Sequence, residues 1–278
     1  MDLVQALWIA VLQGATELFP VSSLGHAVVV PALLKTGIDQ NGPAFLPFLV
    51  TLHLGTAAAL LAYFWRDWLA LFLGVLGLSS DSHIVNESRR IFLLIVVATI
   101  PAVVVGALLE HVLRNLFGSP VIAAAFLVVN GALLLFGERI RGLGHRPFPT
   151  LTFTDAFTIG CWQCGALIPG VSRSGTTIVG ALLRGVSHEA AAHFSFLIAL
   201  PIILGATVLE VPKLMHAAIP PGTITIAAIA AVVSGIVAFL STAFLMRYFR
   251  RNEDWALNPF GYYCVAAGLG AIAWLEFA

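Results

Sequence analysis

Apolar residues in this chain come in long runs, not in the alternation of strands. Six stretches, about 44–65, 91–113, 120–137, 193–211, 223–246 and 259–275, are long and apolar enough to cross a bilayer, which takes about 20 residues. Most carry no charge in their central turns. The run at 69–78 is too short to span and reads as a helix lying in the interface. Two further stretches, 3–34 and 150–185, are equally apolar but are interrupted by Phe19-Pro20-Val21-Ser22-Ser23 and Ile168-Pro169-Gly170-Val171-Ser172. Proline removes a backbone donor and clashes with the preceding turn, so each stretch is expected to form two short helices around a non-helical break. Unpaired backbone is not tolerated in lipid, so both breaks must be buried in protein or line a wet cavity. The pattern therefore predicts an all-α polytopic membrane protein. About six transmembrane helices are joined by two broken re-entrant hairpins.

Composition agrees. Of 278 residues, 59% are hydrophobic and only 10% charged, against about 25% charged in ordinary soluble domains. A soluble fold of this size could not hide that much apolar surface, and the balance excludes a disordered chain and a nucleic-acid partner. Three cysteines make no disulfide framework. The amino terminus opens with Asp2 and has no basic region ahead of its apolar run, so a cleaved signal is not expected. Fourteen basic residues balance fourteen acidic ones, and only the position of the charge is informative. Arg66 with Arg89 and Arg90, then Arg139, Arg141 and Arg146, then Arg247, Arg250 and Arg251 mark three loops assigned to the cytoplasm. Spans 44–65, 120–137 and 223–246 then run inward and the other three outward. The first hairpin enters from the outer face and the second from the inner face.

The two broken stretches resemble each other at a constant offset. Gln13 matches Gln163, Val21 matches Val171, Ser22 matches Ser172 and Gly25 matches Gly175, while Pro20 and Pro169 fall within one residue of register. Each broken stretch is followed by three spans. An odd number of crossings puts the second copy upside down, so we expect an inverted-topology repeat, with one unit at about 1–145 and the other at about 146–278 in a single membrane domain.

An ionised side chain at mid-membrane costs about 2.5–3.5 kcal/mol on insertion scales, so such residues default to a functional role. Glu17 and Arg173 are the two clear cases, and they belong to opposite hairpins. A structural ion pair holding the halves together is the plain alternative. It gives no reason for the surplus of polar groups around them. Gln13 shares a helix face with Glu17, and Ser22, Ser23 and His26 follow the first break. In Pro169-Gly170-Val171-Ser172-Arg173-Ser174-Gly175-Thr176-Thr177, Ser172 is placed to cap a half-helix whose free N–H groups attract an anion. Arg173 adds a fork that matches phosphate oxygens, and the hydroxyls of Ser174 and Thr177 could complete the cradle. His26 follows Ser22 and Ser23 by four and three residues, which puts an imidazole near a serine hydroxyl. That permits a serine nucleophile with a histidine base, or a histidine protonating a leaving group. His53, inside an apolar span, reads as hydrogen-bonded to a neighbour.

Gln13-Gly14-Ala15-Thr16-Glu17-Leu18-Phe19-Pro20-Val21-Ser22-Ser23-Leu24-Gly25-His26 and the run from Pro169 to Thr177 resemble the two signature motifs of the bacterial undecaprenyl-pyrophosphate phosphatase (BacA, bacitracin-resistance) family. The similarity extends over essentially the whole chain, including Phe64-Trp65-Arg66 and Asn258-Pro259-Phe260. The resemblance implies a multi-pass enzyme of the bacterial cytoplasmic membrane that hydrolyses undecaprenyl diphosphate to the monophosphate on the outer side. It implies carrier-lipid recycling for peptidoglycan synthesis, bacitracin resistance and a divalent cation requirement, Mg²⁺ or Ca²⁺. Carried over by position, the (E/Q)xxxE element falls on Gln13 and Glu17, the serine and histidine on Ser23 and His26, and the phosphate-binding arginine on Arg173. Where many members have a glutamate this chain has Gln13, which leaves Glu17 as the one motif carboxylate for a metal. The metal could instead arrive with the diphosphate.

The expected site thus has Glu17, Ser23, His26 and Arg173 as catalytic residues. Gln13, Ser22, Ser172, Arg173, Ser174 and Thr177 hold the phosphate, and Glu17 is the candidate metal ligand. Ser23 is the favoured nucleophile with His26 as acid or base and Glu17 orienting His26, activating water or touching the metal. Direct attack by water, with Ser23 only binding phosphate, is equally compatible with the sequence. So is a lipid transporter or flippase using the same residues without cleavage. An intramembrane serine protease would leave Arg173 without a role. The partners expected are a polyprenyl diphosphate and the bilayer, with no nucleic acid; a homo-oligomer is compatible with the sequence.

Overall fold

The computed structural model describes residues 2–38, 42, 45–79, 81–116, 119–140, 145–216 and 222–277, with backbone alone at 46, 110–116 and 209–216. Among the described residues the chain is helical, with no strand. It is an all-α polytopic membrane protein: five helices are long and apolar enough to span, or six if one bent pair is counted as a span.

The first broken stretch forms α1 (Leu3–Thr16) and α2 (Ser23–Leu33). Asp2 caps α1 in a reciprocal box with Gln5, and Ser22 caps α2 through its hydroxyl. Both ends of this hairpin lie at one face, where Gln5 Nε2 donates to the Thr36 carbonyl at 3.2 Å. The second broken stretch forms α7 (Phe153–Gln163), a short 3₁₀ turn at Cys164–Leu167 and α8 (Arg173–Leu182). Its two ends meet at the opposite face, where Arg146 and Arg184 both bind the fully buried Asp155 carboxylate, at 2.8 and 2.7 Å. The two hairpins therefore open toward opposite faces, as an inverted arrangement requires.

The remaining helices are α3 (Phe45–Tyr63), α4 (Trp65–Val75), α5 (Ser82–Leu116), α6 (Pro120–Ile140), α9 (His188–His216), α10 (Thr223–Arg251) and α11 (Asn258–Phe277). The axis turns by 79° between α3 and α4, so the short 69–78 run leaves the direction of its span, as an interfacial helix would. The expected spans are all present, but several helices overrun them. Arg89 and Arg90 sit in the opening turns of α5, and Arg247, Arg250 and Arg251 in the closing turns of α10, where loops were expected. Nothing in 82–91 breaks a helix, and arginines in a last turn complement the helix dipole. The extra turns carry the helices past the apolar layer.

Side-chain contacts place these basic residues at one face. His193 at the start of α9 stacks between Phe64 at the end of α3 and Phe148. His188 reaches Glu138 at the end of α6, and Glu138 accepts from the Leu257 N–H ahead of α11. Arg90 of α5 donates to the Leu151 carbonyl before α7. Thus α3, α6 and α10 end where α5, α9 and α11 begin. Arg141 lies outside the described residues.

The long helices pack through small residues, which let backbones approach where lipid gives no hydrophobic push. A Cβ on Gly131 of α6 would come within 2.6 Å of the Gly261 carbonyl oxygen of α11. Gly55 on α3 and Gly235 on α10 face each other in the same way. The hairpin α1 lies on α10 through Gly14 against Ser234 and Val237, while α7 lies on α5 through Gly160 against Ala98.

The tips of the two hairpins meet in the interior, and one side chain of α6 serves both breaks. Asn130, fully buried, accepts from the Ser172 N–H at 2.9 Å and donates to the Pro20 carbonyl at 3.0 Å. Ser174 donates to the Phe19 carbonyl at 3.1 Å. These bonds satisfy backbone groups that lie at the breaks outside regular helix. Asn130→Leu keeps the volume and leaves two buried backbone groups unpaired, each costing about 1–3 kcal/mol. We expect a loss of about 2–6 kcal/mol for the pair, read as a lower midpoint in detergent unfolding followed by helical circular dichroism.

Candidate functional site

The first break positions Glu17 one residue beyond α1, with Gln13 one turn earlier. Glu17 Oε2 accepts from Ser23 Oγ at 2.6 Å and Gln13 Nε2 at 3.0 Å, and faces His53 Nε2 at 3.2 Å. Its Oε1 faces an Arg173 terminal nitrogen at 3.4 Å. Arg173 opens α8 and also donates to the Ser195 carbonyl of α9 at 3.1 Å. A single carboxylate thus gathers groups from both hairpins and from α3.

The protonation of His53 follows from its partners. Nδ1 is 2.7 Å from the Leu49 carbonyl, which can only accept, so Nδ1 carries a hydrogen. Nε2 then meets Glu17 with a proton between them. Glu17 is held between His53 on one oxygen and Arg173 on the other. Side-chain exposures of 7% for Glu17 and 12% for Arg173 keep most water out, which strengthens these contacts.

Of the expected residues, Gln13, Glu17, Ser23 and Arg173 come together directly. Ser22 and Ser172 cap α2 and α8, their hydroxyls accepting from the N–H groups of Gly25 at 3.2 Å and Gly175 at 3.1 Å. Both helix starts point into the same region, because Gly25 packs against Gly170: a Cβ there would lie 3.0 Å from the Gly170 Cα. Gly170 has φ +96° and Ser22 φ +69°. For serine that backbone is strained by about 1–3 kcal/mol, and such strain concentrates at functional sites.

Three expectations are corrected. His26 is not beside a serine hydroxyl. Its Nδ1 donates to the Ser22 carbonyl at 2.7 Å, which leaves Nε2 to accept from Tyr263 Oη at 2.8 Å. The helical spacing brought the imidazole back to the backbone of Ser22, four residues earlier, while the Ser23 hydroxyl turned to Glu17. Glu17 accordingly orients Ser23, not His26. Ser174 and Thr177 do not line a cradle either: both are fully buried. Ser174 is spent on the Phe19 carbonyl and Thr177 on the Ser195 hydroxyl at 2.7 Å. Gln163, the counterpart of Gln13, bonds to the Ala98 carbonyl of α5 at 3.3 Å and ties α7 in place.

The sequence reading passed over Asn130 and Ser195 and gave His53 no specific partner. Their common signal is a polar residue alone in an apolar span. Tyr263 follows the Asn258-Pro259-Phe260 signature at the start of α11.

The donor chemistry also bears on a metal. A hard divalent cation takes about six or more oxygen ligands. Here both carboxylate oxygens already face protein donors, Arg173 is cationic, and Gln13 Oε1 is a single buried, unpartnered oxygen beside them. These residues do not fit a divalent cation held by the protein itself.

Comparison with known proteins agrees with the geometry. Residues 6–270 match the family described as Bacitracin resistance protein BacA. The chain is 68% identical to a Granulibacter bethesdensis protein named undecaprenyl-diphosphatase, over all of this chain and 98% of that one. Proteins of the same name from Gluconacetobacter diazotrophicus and Acidiphilium cryptum are 58% and 54% identical. They align over 96% and 98% of this chain and 95% and 98% of their own. With both broken-helix motifs meeting at one buried carboxylate, and a match of this extent, the chain belongs to the BacA bacitracin-resistance family.

Proposed function

We propose that this chain is a membrane hydrolase converting undecaprenyl diphosphate to undecaprenyl phosphate and inorganic phosphate, returning carrier lipid to peptidoglycan synthesis. The reading rests on one observation above the others. The Ser23 hydroxyl donates at 2.6 Å to a carboxylate whose other oxygen faces Arg173. A hydroxyl, a base and a phosphate-matching fork are what phosphoryl transfer requires, since its catalysis is mostly positioning and charge stabilisation. The relatives' name supplies the lipid.

In this mechanism the terminal phosphate enters beside Arg173 and the N-termini of α2 and α8, and the Arg173–Glu17 contact opens in its favour. Ser23 Oγ attacks phosphorus and passes its proton to Glu17. The bond to the bridging oxygen breaks, and its electron pair leaves with the prenyl monophosphate. Water then attacks the phosphoserine, the proton on Glu17 returns to Ser23 Oγ, and inorganic phosphate departs. The short Ser23–Glu17 bond favours this route over direct attack by water. His53 holds Glu17 Oε2 toward Ser23, and His26 is bonded to Tyr263, which is exposed. The divalent cation enters only as the diphosphate's own counter-ion.

The arginine-rich face is taken as cytoplasmic by the positive-inside rule, in the bacterial inner membrane. The first hairpin then opens outward. The chain is read as a duplication of a hairpin and three spans, with its boundary near residue 145.

Purified protein in detergent, supplied with a prenyl diphosphate and Mg²⁺, should release inorganic phosphate. Glu17→Gln and Arg173→Gln should each lower release by about 100-fold or more while remaining helical; wild-type turnover in both would remove the site. Rapid acid quench should trap phosphate on Ser23, and its absence at single turnover, with Ser23→Ala retaining most activity, would select direct water attack. His53→Leu should lose about tenfold in kcat with KM kept, and His53→Gln, a neutral donor of similar reach, should recover most of it.

A further inference from the structure

The proposed mechanism leaves unused a basic pocket where α3 and α10 end. Tyr63, Ala243, Met246, Arg247, Arg250 and Arg251 enclose about 460 Å³. The three arginines fall at i, i+3 and i+4 and so share one helix face, where like charges repel. One acidic partner relieves them: Arg250 Nε donates to Glu189 at 2.7 Å. That bond uses one edge of the guanidinium and leaves the two terminal nitrogens available. No acidic side chain is bonded to Arg247 or Arg251 among the described residues. Arg66, three residues beyond Tyr63, stacks over Trp65 at 5.4 Å and adds a further positive charge at this end of α3.

Topology and the helix dipole explain why arginines stand at the end of α10. Neither requires three of them to line one concavity with a phenol and two apolar side chains. That combination suits an amphiphile with an anionic head. Guanidinium forks match phosphate oxygens in pairs, the Tyr63 hydroxyl is a further donor, and Ala243 and Met246 face the first carbons below the head. The pocket lies at the arginine-bearing end of α10, and Leu240 and Phe244, two turns and one turn before Arg247 on the same stripe of that helix, are exposed and offer a track for acyl chains. Basic pockets between transmembrane helices hold lipid headgroups in this way. We propose that this pocket binds the phosphate of an anionic phospholipid. It is separate from the Glu17–Arg173 site and does not depend on the hydrolase reading.

Native mass spectrometry of the whole protein, released from micelles containing equal phosphatidylglycerol and phosphatidylcholine, tests it. The parent should carry one phosphatidylglycerol, and Arg247→Gln/Arg251→Gln should reduce that adduct at least tenfold while phosphate release from a short-chain prenyl diphosphate stays within twofold. Arg251→Gln alone, a milder change should the double variant fold poorly, should reduce it about threefold. Equal retention by parent and variants, or equal retention of phosphatidylcholine, overturns the proposal. So does an inorganic phosphate adduct that phosphatidylglycerol fails to displace, since that would make free phosphate the ligand.

Discussion

Two interrupted backbones lie among helices that otherwise run unbroken through an apolar layer, and each break must find partners for backbone groups outside regular helix. Asn130 supplies one for each, accepting from Ser172 and donating to Pro20. Most of the architecture follows from bringing both breaks within reach of that one amide. Gly170 must lie where a Cβ would strike the Ala123 carbonyl of α6, and Gly25 must let α2 approach Gly170. Phe19 packs between Phe244 and Phe260 and pins the first break from the other side. The breaks are therefore rigid, although neither is regular.

Rigid breaks make a preorganised site. Both half-helices that start at the tips aim their free N–H groups into the same interior, and the carboxylate preceding one break meets the guanidinium following the other. In a low-dielectric setting an unpaired Glu17 or Arg173 would be expensive, and each supplies the other's counter-charge while His53 faces the second carboxylate oxygen. In the proposed mechanism Arg173 turns to an incoming phosphate while Glu17 keeps His53, Gln13 and Ser23, so the Ser23 hydroxyl stays oriented.

The fold was legible because its signals are collective. Six runs of apolar residues, two prolines within hydrophobic stretches and three clusters of arginine all report the same arrangement, and errors of a turn at helix ends do not disturb it. The Glu17–Arg173 meeting was legible for another reason: charge is rare in these segments and only those two residues sit at breaks. What stayed hidden depended on rotation about single helices. His26 has the right spacing to approach Ser22, but spacing does not say whether it finds the hydroxyl or the carbonyl. Ser174 and Thr177 look like phosphate ligands in a Ser/Thr-rich motif. Their side chains turn into the protein because a broken helix needs internal donors as much as a substrate does. Asn130 and His53 carry large consequences from single polar positions whose partners lie far along the chain, Ser172 and Pro20 for one and Glu17 for the other.

The near-symmetry of the hairpins makes their one chemical difference instructive. Gln13 and Gln163, Ser22 and Ser172, and Gly25 and Gly175 occupy corresponding places, yet Glu17 corresponds to Leu167 and Arg173 to Ser23. Placing the acid before one break and the guanidinium after the other pairs opposite charges in an interior where their attraction is screened far less than in water. It also frees the matching position in the first hairpin for a small hydroxyl, Ser23, next to the acid. The same difference between the hairpins thus sets a hydroxyl beside the carboxylate on one side only, and two similar breaks yield an asymmetric site.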